Sequence, residues 1–235
     1  MSQWTKLELY PPEPNDLMPA HSLYKQLGYN ALHTLCRLGG VLCFGVRIFG
    51  RHHMPKQGAA LVCVNHQSHF DPLLAGMSLD VRISFLARRT LFDVPVLKQL
   101  IEYLDSIPID RDGPAVSGIK ETLKRLKRGE PVGIFPEGTR SRDGEIAPLK
   151  PGFTMLAKRV GVPIVPMAID GAYQSWPRTQ ALPGPSRIII VIGAPIPEGD
   201  VTSLSDAELV AEVERRMRLC HAEARRYREA SPVLY

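Results

Sequence analysis

Residues 61–71 read Leu-Val-Cys-Val-Asn-His-Gln-Ser-His-Phe-Asp, an apolar run that breaks off at a cluster of polar side chains. The run begins at residue 59 and has strand character, and Pro72 follows Asp71 as a favoured first-turn residue of a helix. His66 and Asp71 therefore fall in a strand-to-helix turn, the place where open α/β folds carry ligands and catalytic groups. With four residues between them, the carboxylate can fold back on the imidazole, set its tautomer and stabilise the imidazolium. His66 is a candidate general base; the plainer role for Asp71 is a helix cap.

Composition sets the outer limits. A chain of 235 residues, 44% hydrophobic and 23% charged, can build one large α/β domain with a substantial core. The net charge of +5 suits phosphate-bearing substrates, an anionic membrane surface or nucleic acid. Aromatic residues make up 7% and do not alternate with basic ones, which disfavours nucleic acid. Cys36, Cys43, Cys63 and Cys220 form no C-x-x-C pair and read as buried free thiols in a reducing compartment. Residues 1–16 lack the basic start and apolar core of a secretory signal.

On the N-terminal side, the prolines at 11, 12, 14 and 19 make residues 1–19 an extended leader. Residues 20–46 have helical spacing, with Leu23, Leu27, Ala31, Leu35, Leu38 and Leu42 on one side. The stretch from Leu38 to Phe49 is almost wholly apolar, but it is interrupted by Arg47 and is shorter than the roughly 20 residues of a membrane span. Two roles stay open, an interfacial helix on a bilayer or one packed on the domain core. Residues 46–49 suggest a strand, and Arg51, His52 and His53 after it read as solvated loop residues.

On the C-terminal side, residues 72–79 suggest a helix, 82–87 a strand, and Leu97, Leu100, Ile101 and Leu104 another helix. Residues 106–109 suggest a strand that leads to Asp110 and Arg111, and 116–128 an amphipathic helix with a basic face. Residues 131–135 suggest a buried strand, followed by Pro136, Glu137, Gly138, Thr139, Arg140, Ser141 and Arg142. Flexible and basic residues at a strand end make a phosphate clamp, because Gly138 permits close backbone approach and Arg140 can grip two oxygens. A helix opened by Pro151 and closed near Gly161, strands at 163–169 and 187–192, and a final helix started by a Ser205/Glu208 capping box complete the chain. The last helix reads as structural.

Alternating strands and helices imply a layered α-β-α domain with a central, largely parallel or mixed sheet and an N-terminal helical segment able to rest on a membrane. Residues 1–19 form the leader, 20–46 the interfacial or packing helices, and 47–235 the main domain. Three polar clusters then gather at one sheet edge: His66 with Asp71, Asp110 with Arg111, and 137–142.

The chain resembles the glycerolipid acyltransferase family, the relatives of 1-acylglycerol-3-phosphate O-acyltransferase, through four blocks in family order. These are Asn65-His66-Gln67-Ser68-His69-Phe70-Asp71, Ile109-Asp110-Arg111, Phe135-Pro136-Glu137-Gly138-Thr139-Arg140-Ser141 and Val162-Pro163-Ile164-Val165-Pro166. The resemblance implies that an acyl thioester, on coenzyme A or acyl carrier protein, donates a fatty acyl group to the hydroxyl of a lysophospholipid or glycerol phosphate. It assigns His66 to deprotonate that hydroxyl and Asp71 to orient His66. Asp110, Arg111, Glu137, Gly138, Thr139, Arg140 and Lys150 would bind the acceptor, and the fourth block would help line the acyl site. Neither a metal nor another cofactor is implied, since the thioester is already activated. Because His66 has to start neutral, turnover is expected to fall on the acid side.

Two departures stand out. Where relatives often carry Lys followed by Glu-Leu, this chain has Arg88, Arg89, Thr90 and Leu91, and its N-terminal region lacks clear membrane spans. Peripheral or monotopic attachment to the cytoplasmic face of a membrane is the expectation. The alternatives are a metal-dependent hydrolase with His66, His69 and Asp71 as ligands, and a non-catalytic protein of the membrane surface.

Overall fold

The computed structural model describes residues 23–88, 106–109 and 116–230. Asp110, Arg111, the leader and the helix expected through Leu104 lie outside them. In chain order the elements are α1 (Leu23–Phe44), β1 (Arg47–Phe49), a 3₁₀ turn (Arg51–His53), β2 (Leu61–Val64), α2 (Asp71–Ser78), β3 (Ser84–Arg88), β4 (Ile107–Ile109) and α3 (Val116–Lys127). They continue with β5 (Val132–Ile134), α4 (Gly152–Val160), β6 (Ile164–Asp170), α5 (Ala172–Ser175), β7 (Ile189–Ile192), α6 (Glu198–Ser203) and α7 (Asp206–Ala230).

The strands form one seven-stranded sheet in the order β1-β7-β6-β2-β5-β3-β4. All pairings are parallel except β6 with β7. Five strands therefore end at one edge, where they bring Asp170, Asn65, Phe135, Arg88 and Ile109. Since β7 starts where β6 ends, with Ile189 opposite Asp170, the connection between them lies at that edge too.

Strand β2 lies at the centre, with Leu61 in register with Val132 on one side and Ile164 on the other. All four of its residues are buried. Its pleat sends Leu61 and Cys63 into one core with Leu126, Phe153, Leu156, Leu209, Val213 and Met217, from α3, α4 and α7. Val62 and Val64 point the other way, into a core with Leu74, Ala75, Met77 and Met167. A run apolar on both faces is what a strand covered by helices on both sides requires. The fourth block is part of this core: Ile164 and Val165 on β6 are wholly buried.

Helix α1 packs on the domain by its polar side. The side facing the domain carries His33, Arg37 and Gly40: His33 Nε2 meets the Leu79 carbonyl at 3.0 Å, and Arg37 donates to the Met77 carbonyl and to Asp80. A Cβ on Gly40 would lie 2.7 Å from the Met77 methyl, so close packing on α2 needs the glycine. Leu35, Leu38, Val41 and Leu42 face outward, and Leu42 is 81% exposed. Apolar periodicity located a stripe without saying what covers it. The 51–53 segment also departs from a solvated loop, since His53 is half-buried with Nδ1 2.7 Å from the Ile192 carbonyl. Among the cysteines expected to be buried, Cys43 is exposed.

Just beyond β2, buried Asn65 donates Nδ2–H to the Ile169 carbonyl (2.9 Å) and accepts the Ile169 N–H on Oδ1 (2.7 Å). It extends the β2–β6 ladder by a side chain and fixes where the strand stops. Replacing Asn65 with Ala leaves both backbone groups of Ile169 unpaired in the core and should cost about 2–4 kcal/mol, read as a lowered urea midpoint at unchanged slope.

Candidate active site

The turn after β2 is built around one carboxylate oxygen. Asp71 Oδ2 lies 2.8 Å from His66 Nδ1 and accepts the backbone N–H groups of Gln67 and Ser68, each at 2.6 Å. Asp71 is completely buried and its other oxygen, Oδ1, has no partner. The residue opens α2, yet its side chain turns backward into the preceding loop instead of capping the helix. With a carboxylate at Nδ1, that nitrogen is the donor, and the lone pair of the neutral ring sits on Nε2. The ring stacks on Phe135 at 4.1 Å between centroids, and its side chain retains 18% exposure. A second ring, Phe85, stacks behind Phe135.

The loop after β5 docks onto this turn. The His66 N–H donates to Glu137 Oε1 (2.7 Å), and the Ser141 N–H donates to the His66 carbonyl (2.6 Å). Gln67 Nε2 donates to the Gly144 carbonyl (2.6 Å), and the Arg140 guanidinium lies against the His69 ring. Burial and the Arg140 charge hold His69 below the ordinary imidazole range, leaving a neutral ring beside the guanidinium. Gly138 takes a left-handed φ of 72°, and a Cβ there would lie 2.8 Å from Lys150 Nζ. That glycine lets the ammonium lie directly over the loop backbone. The turn that carries His66 is thus joined to the loop that carries Arg140 and Lys150.

Residues 45–170, more than half of the chain, match the family model described as Acyltransferase. This chain belongs to the acyltransferase family. It is 31% identical over 183 residues to a 1-acyl-sn-glycerol-3-phosphate acyltransferase of Bacillus subtilis, covering 77% of this chain and 87% of that protein. A 1-acyl-sn-glycerol-3-phosphate acyltransferase of Limnanthes douglasii is 34% identical over 134 residues, 56% of this chain and 47% of the plant protein. The crystal structure of the 1-acyl-sn-glycerophosphate acyltransferase PlsC from Thermotoga maritima superimposes with a TM-score of 0.75 at 24% identity, covering 94% of this chain and 88% of that one. The expected layered fold and family membership are thereby established.

Within this acyltransferase the expected site residues separate into groups. His66, Asp71, Gly138, Thr139, Arg140 and Lys150 lie on the two docked loops; Asp110 and Arg111 fall outside the described residues. Glu137, expected to hold the acceptor, is 3% exposed and has both oxygens engaged by backbone, Oε1 by His66 and Oε2 by the Ala147 N–H at 2.9 Å. It ties the loop to the His66 turn at one oxygen and to Ala147 at the other. His69, placed among the hydrolase ligands, presents its ring to a guanidinium, an environment unsuited to a cation. Among the described residues no group of three His, Cys, Asp or Glu could hold a metal ion.

Sequence reasoning quoted Phe135 and Ser141 within the third block without giving them a role, and did not single out Trp176 or His221. Trp176 stacks near His69 at 4.9 Å and its carbonyl accepts from Ser68 Oγ (2.7 Å). It lies beyond all four blocks, and the parallel run of β6 beside β2 brings the segment after Asp170 to the same edge. His221 carried a legible signal, because it stands four residues after Met217 and three before Ala224 in the inward stripe of α7.

Burial pushes the Glu137 carboxyl up to about 7 from an ordinary 4.5, against the pull of its two backbone donors. Folded Glu137 therefore holds its proton more tightly than the unfolded chain does. The stability this contributes is complete below the unfolded value and is lost as pH rises through about 7, a loss of at most about 3 kcal/mol. Urea unfolding between pH 5 and 8 should show this decline in the parent protein and lack that component in Glu137→Gln. Identical slopes in the two proteins would exclude it.

Proposed function

We propose that this acyltransferase moves a fatty acyl group from an acyl thioester to the free hydroxyl of 1-acylglycerol-3-phosphate, giving phosphatidic acid. The observation that carries this reading is the 2.8 Å contact of His66 Nδ1 with buried Asp71, set beside a loop bearing Arg140 and Lys150. The names of the Bacillus and plant relatives support the acceptor. The donor is a thioester of coenzyme A or of acyl carrier protein.

His66 Nε2 takes the proton of the acceptor hydroxyl while the oxygen attacks the thioester carbonyl carbon. The carbon–sulfur bond then breaks, and the imidazolium returns its proton to the leaving thiolate. Asp71, fixed by two backbone N–H groups, keeps the ring in one orientation and balances its transient positive charge. Arg140, Lys150, Thr139 and the Gly138 backbone grip the phosphate, with Arg111 as a further cation. A positioned base supplies about 10²- to 10⁴-fold, and much of the rest comes from holding the hydroxyl beside the thioester. No acyl-enzyme intermediate is needed.

The test uses purified protein, a panel of lysophospholipids, and acyl-CoA or acyl carrier protein donors, with products resolved by mass. Replacing His66 with Ala should lower turnover by about 10²- to 10⁴-fold with unfolding behaviour retained. Replacing Arg140 with Ala should chiefly raise the KM for the acceptor. Full turnover without the imidazole would instead favour a non-catalytic role for the site.

The same reading places α1 on the bilayer, peripheral or monotopic at the cytoplasmic face. Leu35, Leu38, Val41 and Leu42 are exposed, and no helix among the described residues is long and apolar enough to cross a membrane. An apolar stripe on a basic protein suits the interface of anionic lipid. Replacing Leu38 and Leu42 together with Glu should abolish co-sedimentation with phosphatidylglycerol-containing vesicles. Undiminished binding would remove α1 from that role.

A further inference from the structure

Helix α7 turns a buried polar side chain toward the catalytic turn. His221 is 5% exposed, and its Nε2 lies 2.9 Å from Gln67 Nε2 and 3.2 Å from Asp170 Oδ1. Gln67 and Asp170 are each 1% exposed, so the whole cluster is withdrawn from water. The Gln67 amide is oriented from its other sides, because Nε2 donates to the Gly144 carbonyl and Oε1 accepts from the Tyr173 N–H at 3.4 Å. In the tautomer with its proton on Nδ1, which faces Glu145 Oε2 at 4.0 Å, His221 presents a bare Nε2 that accepts the remaining Nε2 proton of Gln67. One ring nitrogen cannot accept from Gln67 and donate to Asp170 together, so this tautomer leaves Asp170 to Arg228 and, at 3.6 Å, to Arg225, which also reaches Glu145.

Gln67 is the point at which this cluster meets the chemistry. Its side chain ends on His221, and its backbone N–H is one of the donors that hold Asp71 Oδ2. We propose that His221 is a positioning residue for acyl transfer: by anchoring the Gln67 side chain it fixes the backbone N–H that holds Asp71, and through Asp71 the angle of the His66 ring. The inference rests on the reading of His66 as the base. Losing the acceptor leaves a buried amide proton unpaired, and the 66–68 backbone relaxes to satisfy it. A displacement of a few tenths of an ångström at Asp71 lowers the rate of the chemical step and leaves the acceptor loop, which bears Arg140 and Lys150, in place.

The experiment compares full-length His221→Leu, His221→Gln, Gln67→Leu, the Gln67→Leu/His221→Leu pair and Val213→Ala, using 1-acylglycerol-3-phosphate with acyl-CoA or acyl carrier protein donors. Val213 is buried on the same helix and away from the cluster, so its truncation matches a simple loss of stability. His221→Leu should lower kcat about tenfold or more with both KM values nearly unchanged. Glutamine places an acceptor oxygen where Nε2 was and should restore most of kcat. The double variant should be no slower than Gln67→Leu alone, since both remove one link. The proposal is overturned if His221→Leu keeps its kcat, if its loss follows thermal stability as in Val213→Ala, if the glutamine variant is equally impaired, or if the two losses multiply. A His66→Ala control separates the two claims. Retained turnover there removes the base itself, whereas an inactive His66→Ala beside a fully active His221→Leu removes only the role of His221.

Discussion

A single oxygen atom, Asp71 Oδ2, holds the turn after β2 in shape. It collects one imidazole N–H and two backbone N–H groups while it is shut away from water. Charge-assisted bonds of this kind are about twice as strong as neutral ones, and burial strengthens them further. The carboxylate is at once the fold's means of closing the strand-to-helix turn and the partner of the His66 ring. Removing it would release the turn and the ring together, so neither contact can be altered alone.

Much of the fold was legible because its signals are local. Runs apolar on both faces marked β2, β5 and β6; proline and glycine bounded α4, whose C-terminal Gly161 takes a left-handed φ of 71°; and Ser205 with Glu208 forms the reciprocal pair of bonds expected of a capping box. The antiparallel turn-back of β7 was not legible, since periodicity does not encode strand direction. The short helices α5 and α6 escaped for lack of length. The stripe on α1 was found correctly and assigned two possible roles, and the packing of His33, Arg37 and Gly40 on α2 leaves the leucines facing outward.

The site was legible where its groups are close in sequence and hidden where they are not. The five-residue separation of His66 and Asp71 was enough to anticipate their contact. Glu137 shows the limit: its place in a basic, glycine-containing loop suggests a ligand contact, whereas its oxygens close backbone N–H groups on either side of that loop. Charge type alone cannot tell a residue that meets substrate from one that fixes the residues that do. His221 and Trp176 arrive from distant segments through the topology of the sheet and the docking of the last helix.

The position of β2 has a consequence for how the enzyme can change. Flanked by β5 and β6 and covered on both faces, it belongs to the segments whose amides exchange only when the molecule opens globally. His66 follows that strand by two residues and shares its rigidity. The loops that hang from the rim can be lengthened or rewritten without disturbing the ladder beneath them, so under the proposed function a lineage could exchange one acceptor for another while the His66–Asp71 pair stayed still.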